Sequence, residues 1–238
     1  MNTLNVPVDS YPLERFFMDQ QKQEHFVSTF HSELQELNQN RLSHLRVLWS
    51  TTLNVTIDNK IWERILLLPS RISICNRYRE MQYNILHNVY ISPYTYSKYT
   101  VGISPNCPKC KTTVGTRFHC LWECIQIQVF WKAVCREIST AIEQQLVSNP
   151  LVCLLGSIPD SLKVHKEVIQ FLLMLARKAI MTKWVGEESP SIQLWKSLIS
   201  DAATLEKLRY CIKEKVHLFS RIWEKPLNLL LYFSCIPS

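Results

Sequence analysis

The sequence predicts a mostly α-helical, irregular domain carrying a small zinc-binding loop, with at most one short β element. Three observations predict it. Only four glycines occur in 238 residues, too few to supply the tight hairpins of a sheet protein. Apolar side chains recur at three- and four-residue intervals through most of the chain, the signature of helices with one buried face. Between residues 105 and 131, Cys107, Cys110, His119 and Cys124 form the pattern C-x2-C-x8-H-x4-C.

That pattern is the arithmetic of a zinc site with three thiolates and one imidazole. Zinc takes four soft or borderline ligands in a tetrahedron at roughly 2.0 to 2.3 Å, and a C-x2-C turn offers two thiolates without straining the backbone. Pro105 and Pro108 hold the first half in a turn, where backbone N–H groups point at the sulfurs. The only carboxylate in the loop is Glu123, which argues for a closed structural site. Buried free cysteines are the bland alternative, but four potential ligands within eighteen residues, 107 to 124, speak against it. A redox C-x-x-C would sit in a βαβ pattern, and none surrounds it. Cys120, adjacent to His119 and four residues before Cys124, leaves an all-cysteine ligand set open, with His119 preferred.

Length and composition bound the rest. Hydrophobic content of 47%, with seven Trp and nine Phe, is that of a globular chain with one sizeable core or two small ones. Nine cysteines without a cationic, apolar leader at the start predict a reducing, intracellular setting, in a cytoplasmic ribonucleoprotein or the nucleus. No uninterrupted apolar run reaches about 18 residues, so no membrane span is expected. The net charge of +7 is concentrated: between residues 71 and 117 stand seven basic residues (Arg71, Arg77, Arg79, Lys98, Lys109, Lys111, Arg117) and one acid, Glu80.

Taken in order, residues 1–59 read as a helical N-terminal connector. One or two helices are expected from about 13 to 37, then a short segment at 44–50. The alternating T-T-L-N-V-T-I that follows suggests a short strand. K-I-W-E-R-I-L-L-L at 60–68 is helical until Pro69 stops it. Residues 60–146 then form the chemical part: one amphipathic helix over 70–89 with a basic outer face, a tyrosine-rich loop, the Cys/His loop, and a long helix at 123–145 carrying Cys124 in its first turn. Residues 147–238 form a C-terminal helical region: an apolar connector, a helix at 166–184, and a helix opened by Ser189-Pro190. The pattern breaks near Asp201, resumes over 205–223, and stops at Pro226 before an apolar tail.

Six of the nine tyrosines lie between residues 78 and 99, interleaved with the cations. Cations that pair with phosphates beside aromatic faces that stack on bases are what single-stranded nucleic-acid surfaces are made from. The candidate contacts are Arg77, Arg79, Tyr90, Tyr94, Lys98, Lys109, Lys111 and Arg117, and the expected partner is RNA or single-stranded DNA. Taken singly, each of these residues has an ordinary alternative as a solvated charge or a packed ring.

The strings S-I-C-N-R-Y-R-E-M-Q-Y-N-I-L-H-N-V-Y-I-S-P, C-P-K-C-K-T-T-V-G-T-R-F-H-C-L-W-E-C and F-W-K-A-V, with L-L-G-S-I-P, S-I-Q-L-W and F-S-R-I-W downstream, carry a resemblance. From about residue 62 to 223 the chain resembles the C-terminal, cysteine-rich region of the reverse transcriptase polyprotein of long interspersed element (LINE) retrotransposons. The resemblance implies a zinc-type site at Cys107, Cys110, His119 and Cys124, a role in binding the element's RNA, and the polymerase portion of a related polyprotein as a second partner. Where the family tends to carry a basic residue after I-L-H, this chain has Asn88. Catalysis is not expected. Two-metal polymerase chemistry needs clustered carboxylates, and the five aspartates are scattered, with no Y-x-D-D and no phosphate-binding glycine loop. The expectation is therefore a non-catalytic nucleic-acid-binding module of a truncated copy, with a protein-docking scaffold or a nonfunctional relic as alternatives.

Overall fold

A computed structural model describes residues 26–232. The chain divides into two compact units, Met1–Val55 and Thr56–Ser238. In the first, one helix, α1 (Phe26–Leu53), occupies the described residues. The expected strand at 51–57 is not formed. Thr51 to Leu53 are instead the last turn of α1, where the Thr52 hydroxyl donates to Leu48 O at 2.7 Å, and Asn54 ends the helix at φ +52°. Local hydrogen bonding outweighs a two-residue apolar alternation that has no neighbouring strand to pair with. The part of the expected 13–37 helix that precedes residue 26 lies outside the described residues.

The second unit is all helix and loop: α2 (Asn59–Arg71), α3 (Asn76–Leu86), α4 (Pro93–Ser97), a π turn at His119–Glu123, α5 (Ile125–Ile142), α6 (Pro150–Leu155), a 3₁₀ turn at Asp160–His165, α7 (Lys166–Thr182), α8 (Ile192–Ile212), α9 (Val216–Phe219), a second π turn at Ser220–Glu224, and α10 (Lys225–Tyr232). The one β feature among the described residues is a single bridge between Asn106 and Val114, inside the Cys/His loop.

α7 is the centre. From Val168 to Ala176 every residue but Gln170 is essentially without exposure, as a helix apolar on all sides must be. It packs against α3, α5, α6 and α8, and each large apolar side chain so buried stabilises the unit by about 1.5–3 kcal/mol. Trp195 of α8 is fully buried and its indole N–H donates to Leu172 O at 3.0 Å. Arg177 of α7 is also fully buried and donates to Cys153 O at 2.6 Å; burial pulls its guanidinium pKa down.

Several boundaries differ from the sequence pattern for identifiable reasons. Pro69 does not stop α2, which runs to Arg71 with Pro69 buried inside it; a proline in the last turn forfeits one bond and its ring adds apolar contact. The 70–89 helix starts only at Asn76, because Ser73 accepts from Cys75 N through its hydroxyl and from Arg79 Nε through its carbonyl. The expected connector at 151–160 contains α6, capped by Asn149 and closed by Gly156 at φ +69°. Ser191, not Ser189, caps α8, which passes Asp201 unbroken and ends before Glu214 at φ +55°. Pro226 lies inside α10, which packs on α5 and α8.

Candidate metal centre

The first two cysteines sit in a turn tied at both ends. Cys107 N donates to Thr113 O at 2.8 Å, Lys111 N donates to Cys107 O at 2.8 Å, and Gly115 N donates to Pro105 O at 2.9 Å. Lys111 takes φ +60° to close the turn. Gly115 is required by proximity: a Cβ there would sit 3.0 Å from the Pro93 ring and 3.1 Å from Cys107 Cα. The second pair comes from the π turn. Cys124 N reaches back five residues to His119 O at 2.9 Å, which rotates the chain so that His119 and Cys124 face the first turn together. Trp131, fully buried in α5, fixes the π turn by donating from Nε1 to Leu121 O at 2.9 Å.

The sequence pattern puts Cys124 inside the first turn of a helix beginning near 123. It is instead the N-cap of α5, the residue where the π turn stops and the α-helix starts.

The donor atoms of Cys107, Cys110, His119 and Cys124 all lie within 4.8 Å of one another. The sulfurs of Cys107 and Cys124 are 3.9 Å apart, and Cys110 Sγ is 3.4 Å from His119 Nε2. Three of the four residues are buried and Cys110 is half-buried. This cluster could hold a metal ion. The thiols differ in readiness. Burial pushes Cys110 up, but the amides of Thr113 and Thr112, the Thr112 hydroxyl and the His119 ring outweigh it and bring its pKa down to about 5. Burial dominates at Cys124, whose pKa is raised although the amides of Gln126 and Ile127 oppose it. Cys120 lies outside the four-donor group; burial first, then Cys107, push it up to about 12. Geometry therefore favours His119 over Cys120 as the fourth donor.

No family model matches the sequence.

The eight residues expected to meet nucleic acid differ in exposure and in their partners. Arg77 and Lys98 are exposed, as are Tyr94, Tyr96 and Tyr99; the Lys98 ammonium lies 4.3 Å from the Tyr94 ring centroid. Arg79 and Arg117 are half-buried, each with Nε on a backbone carbonyl, of Ser73 at 2.6 Å and Tyr90 at 2.7 Å. The Tyr90 ring packs at 6.0 Å from that of Trp184. Lys111 is exposed and paired with Glu187 at 2.7 Å. Lys109 differs from the other cations: it is buried, and its ammonium donates to Lys183 O at 2.6 Å, Gly186 O at 3.0 Å and Trp184 O at 3.5 Å. It caps the C-terminus of α7, where orphan carbonyls and the helix dipole favour a cation, so its ammonium is engaged by backbone acceptors.

The Lys109 staple creates a feature that the sequence does not show. Between the metal loop and the segment after α7 lies a cleft of about 840 Å³, walled by Tyr96, Trp184, Ile91 and Ile103, with Cys107 on its lining and Lys111 and Glu187 among its polar residues. The Trp184 indole is held by Ile91 O at 2.8 Å. The turn signal in V-G-E-E-S-P marks a loop at 185–190, but nothing local says that it meets a loop more than seventy residues earlier.

Proposed function

We propose that the chain is a non-catalytic, zinc-stabilised module that binds RNA or single-stranded DNA, equivalent to the cysteine-rich C-terminal region of a LINE reverse transcriptase polyprotein and working in an intracellular ribonucleoprotein. The observation that carries the reading is the four-donor cluster standing directly behind a cleft walled by aromatic rings. Zinc fits the donor set best. Three sulfurs and a nitrogen around zinc at roughly 2.3 and 2.0 Å would stand about 3.6–3.8 Å apart; two of the six pairs stand at 3.9 and 3.4 Å, and all lie within 4.8 Å. Soft thiolates with one imidazole disfavour calcium, magnesium and manganese.

When bound, zinc would lock the loop in place. The chain's own residues would do the rest: Tyr94, Tyr96 and Trp184 offer faces for unpaired bases, while Arg77, Lys98 and Lys111 meet phosphates. Stacking contributes about 1–3 kcal/mol per base, enough for a few rings to matter. The test is metal content measured together with a salt titration of single-stranded RNA binding. Affinity that falls steeply with salt, and falls again when Arg77, Lys98 and Lys111 are neutralised together, supports the reading. Affinity indifferent to ionic strength refutes it.

The exposure of Val185 and Ile91 on the cleft's lining favours a second reading, in which the polymerase portion of a related polyprotein docks there. A chain that binds no RNA but captures that portion would decide for it.

A further inference from the structure

A second cleft, of about 350 Å³, opens where the end of α2, the start of α7 and α8 come together. Its floor is apolar, formed by Leu68, Ile72 and Trp223, and three cations line it: Arg71, Lys166 and Arg209. One carboxylate, Glu167, shares the lining, and its Oε2 accepts from the Tyr210 hydroxyl at 3.1 Å. Among the described residues neither Arg71 nor Lys166 has a carboxylate within ion-pair distance.

Arg209 is fixed in advance. Its NH1 donates to Glu206 Oε2 at 3.1 Å, and the Glu206 side chain has no exposure, with Oε1 lacking any partner. A buried carboxylate with a single cationic partner cannot release it without a large desolvation cost, so Arg209 is held whatever else is bound. Its NH2 lies 3.5 Å from Arg71 O, which brings the guanidinium to the end of α2. Glu206 and Glu167 offset two of the three positive charges, which leaves the cleft a net positive charge, with Arg71 and Lys166 outside any ion pair among the described residues; an oxyanion there accepts from a planar guanidinium fork and an ammonium.

We propose that this cleft binds a phosphate group. The phosphate belongs either to a small phosphate ester or to a nucleic-acid backbone. None of the cleft's residues belongs to the metal loop, and failure of the wild-type chain to bind RNA would leave the phosphate result standing.

The experiment uses the full chain, with inorganic phosphate as the probe and chloride at matched ionic strength as the reference. Thermal unfolding is expected to shift upward in phosphate beyond the chloride value, and phosphate affinity to fall by about tenfold or more in the double variant Arg71→Gln/Lys166→Gln. Both side chains reach solvent, so this variant is expected to keep the wild-type circular dichroism; Arg209→Gln would orphan Glu206 and is not relied on. Two further arms separate the sources. If the phosphate is part of a strand, the double variant lowers single-stranded RNA affinity and shrinks the salt slope by roughly 0.7 for each phosphate the cleft no longer neutralises. If it is a small ester, a 5′-mononucleotide reproduces the shift and RNA affinity is unchanged. Identical behaviour in phosphate and chloride, or a double variant that responds like the wild type, overturns the proposal.

Discussion

The ammonium of Lys109 donates to the carbonyl of Lys183 at 2.6 Å, joining the Cys/His loop to the end of α7, the helix at the centre of the core. Gln126 adds a second tie, from Nε2 to Lys109 O at 3.2 Å. The loop is therefore part of the core's architecture, and its cations divide: Lys109 and Arg117 hold backbone carbonyls, while Lys111 is exposed.

Lys109→Ala should behave as a stability mutant. It removes the donor from carbonyls of the α7 C-terminus, so a loss of about 1.5–3 kcal/mol is expected. The salt slope of RNA binding should stay at its wild-type value. Denaturant titration and filter binding separate the two effects, and a reduced slope with unchanged stability would contradict the assignment.

Metal binding should release protons unequally from the thiols. With its pKa near 5, Cys110 is already a thiolate at pH 7 and has no proton to lose, whereas the raised Cys124 gives one up. Calorimetry at pH 7 in buffers of different ionisation enthalpy should show one proton fewer for Cys124→Ser and little change for Cys110→Ser. In the metal-free chain the depressed Cys110 contributes stability that is fully present above its ordinary value of 9 and is lost as pH falls from there through about 5. Cys110→Ser should flatten the stability profile in that window.

Cys120→Ala should keep one metal ion per chain. The Cys120 sulfur lies outside the four-donor group that His119 completes. His119→Ala should lose the ion or weaken it severely, as measured by metal content after dialysis.

Glu187→Gln should tighten RNA binding. It frees Lys111 from an exposed partner at 2.7 Å, and an exposed pair holds its members by only about 0.2–1 kcal/mol. A two- to threefold gain at low salt is about the size that release allows. A weaker affinity would place Lys111 outside the binding surface.

Gly156→Ala should destabilise the fold without touching either cleft's charges. Gly156 stands at φ +69°, and an added Cβ would overlap Leu68 Cδ2. A cost of about 1–3 kcal/mol is expected from the backbone alone, read as a lowered unfolding temperature with metal content unchanged.

The helical class and the four-donor set are legible in the chain alone, because both are local. Helical periodicity is written within a few turns, and C-x2-C-x8-H-x4-C brings its ligands together over eighteen residues, 107 to 124. The sequence leaves Cys120 open as an alternative to His119, and the placement of the donor atoms favours His119. What each cation does is settled by packing. Lys109 and Lys111 are two residues apart, yet one is buried on the end of α7 and the other lies exposed beside Glu187. That difference is set by a segment more than seventy residues downstream. The same holds for the phosphate cleft, where Arg71, Lys166 and Arg209 come from three distant helices. Charge and periodicity travel with the chain, but which charge is desolvated depends on neighbours that only the folded arrangement supplies.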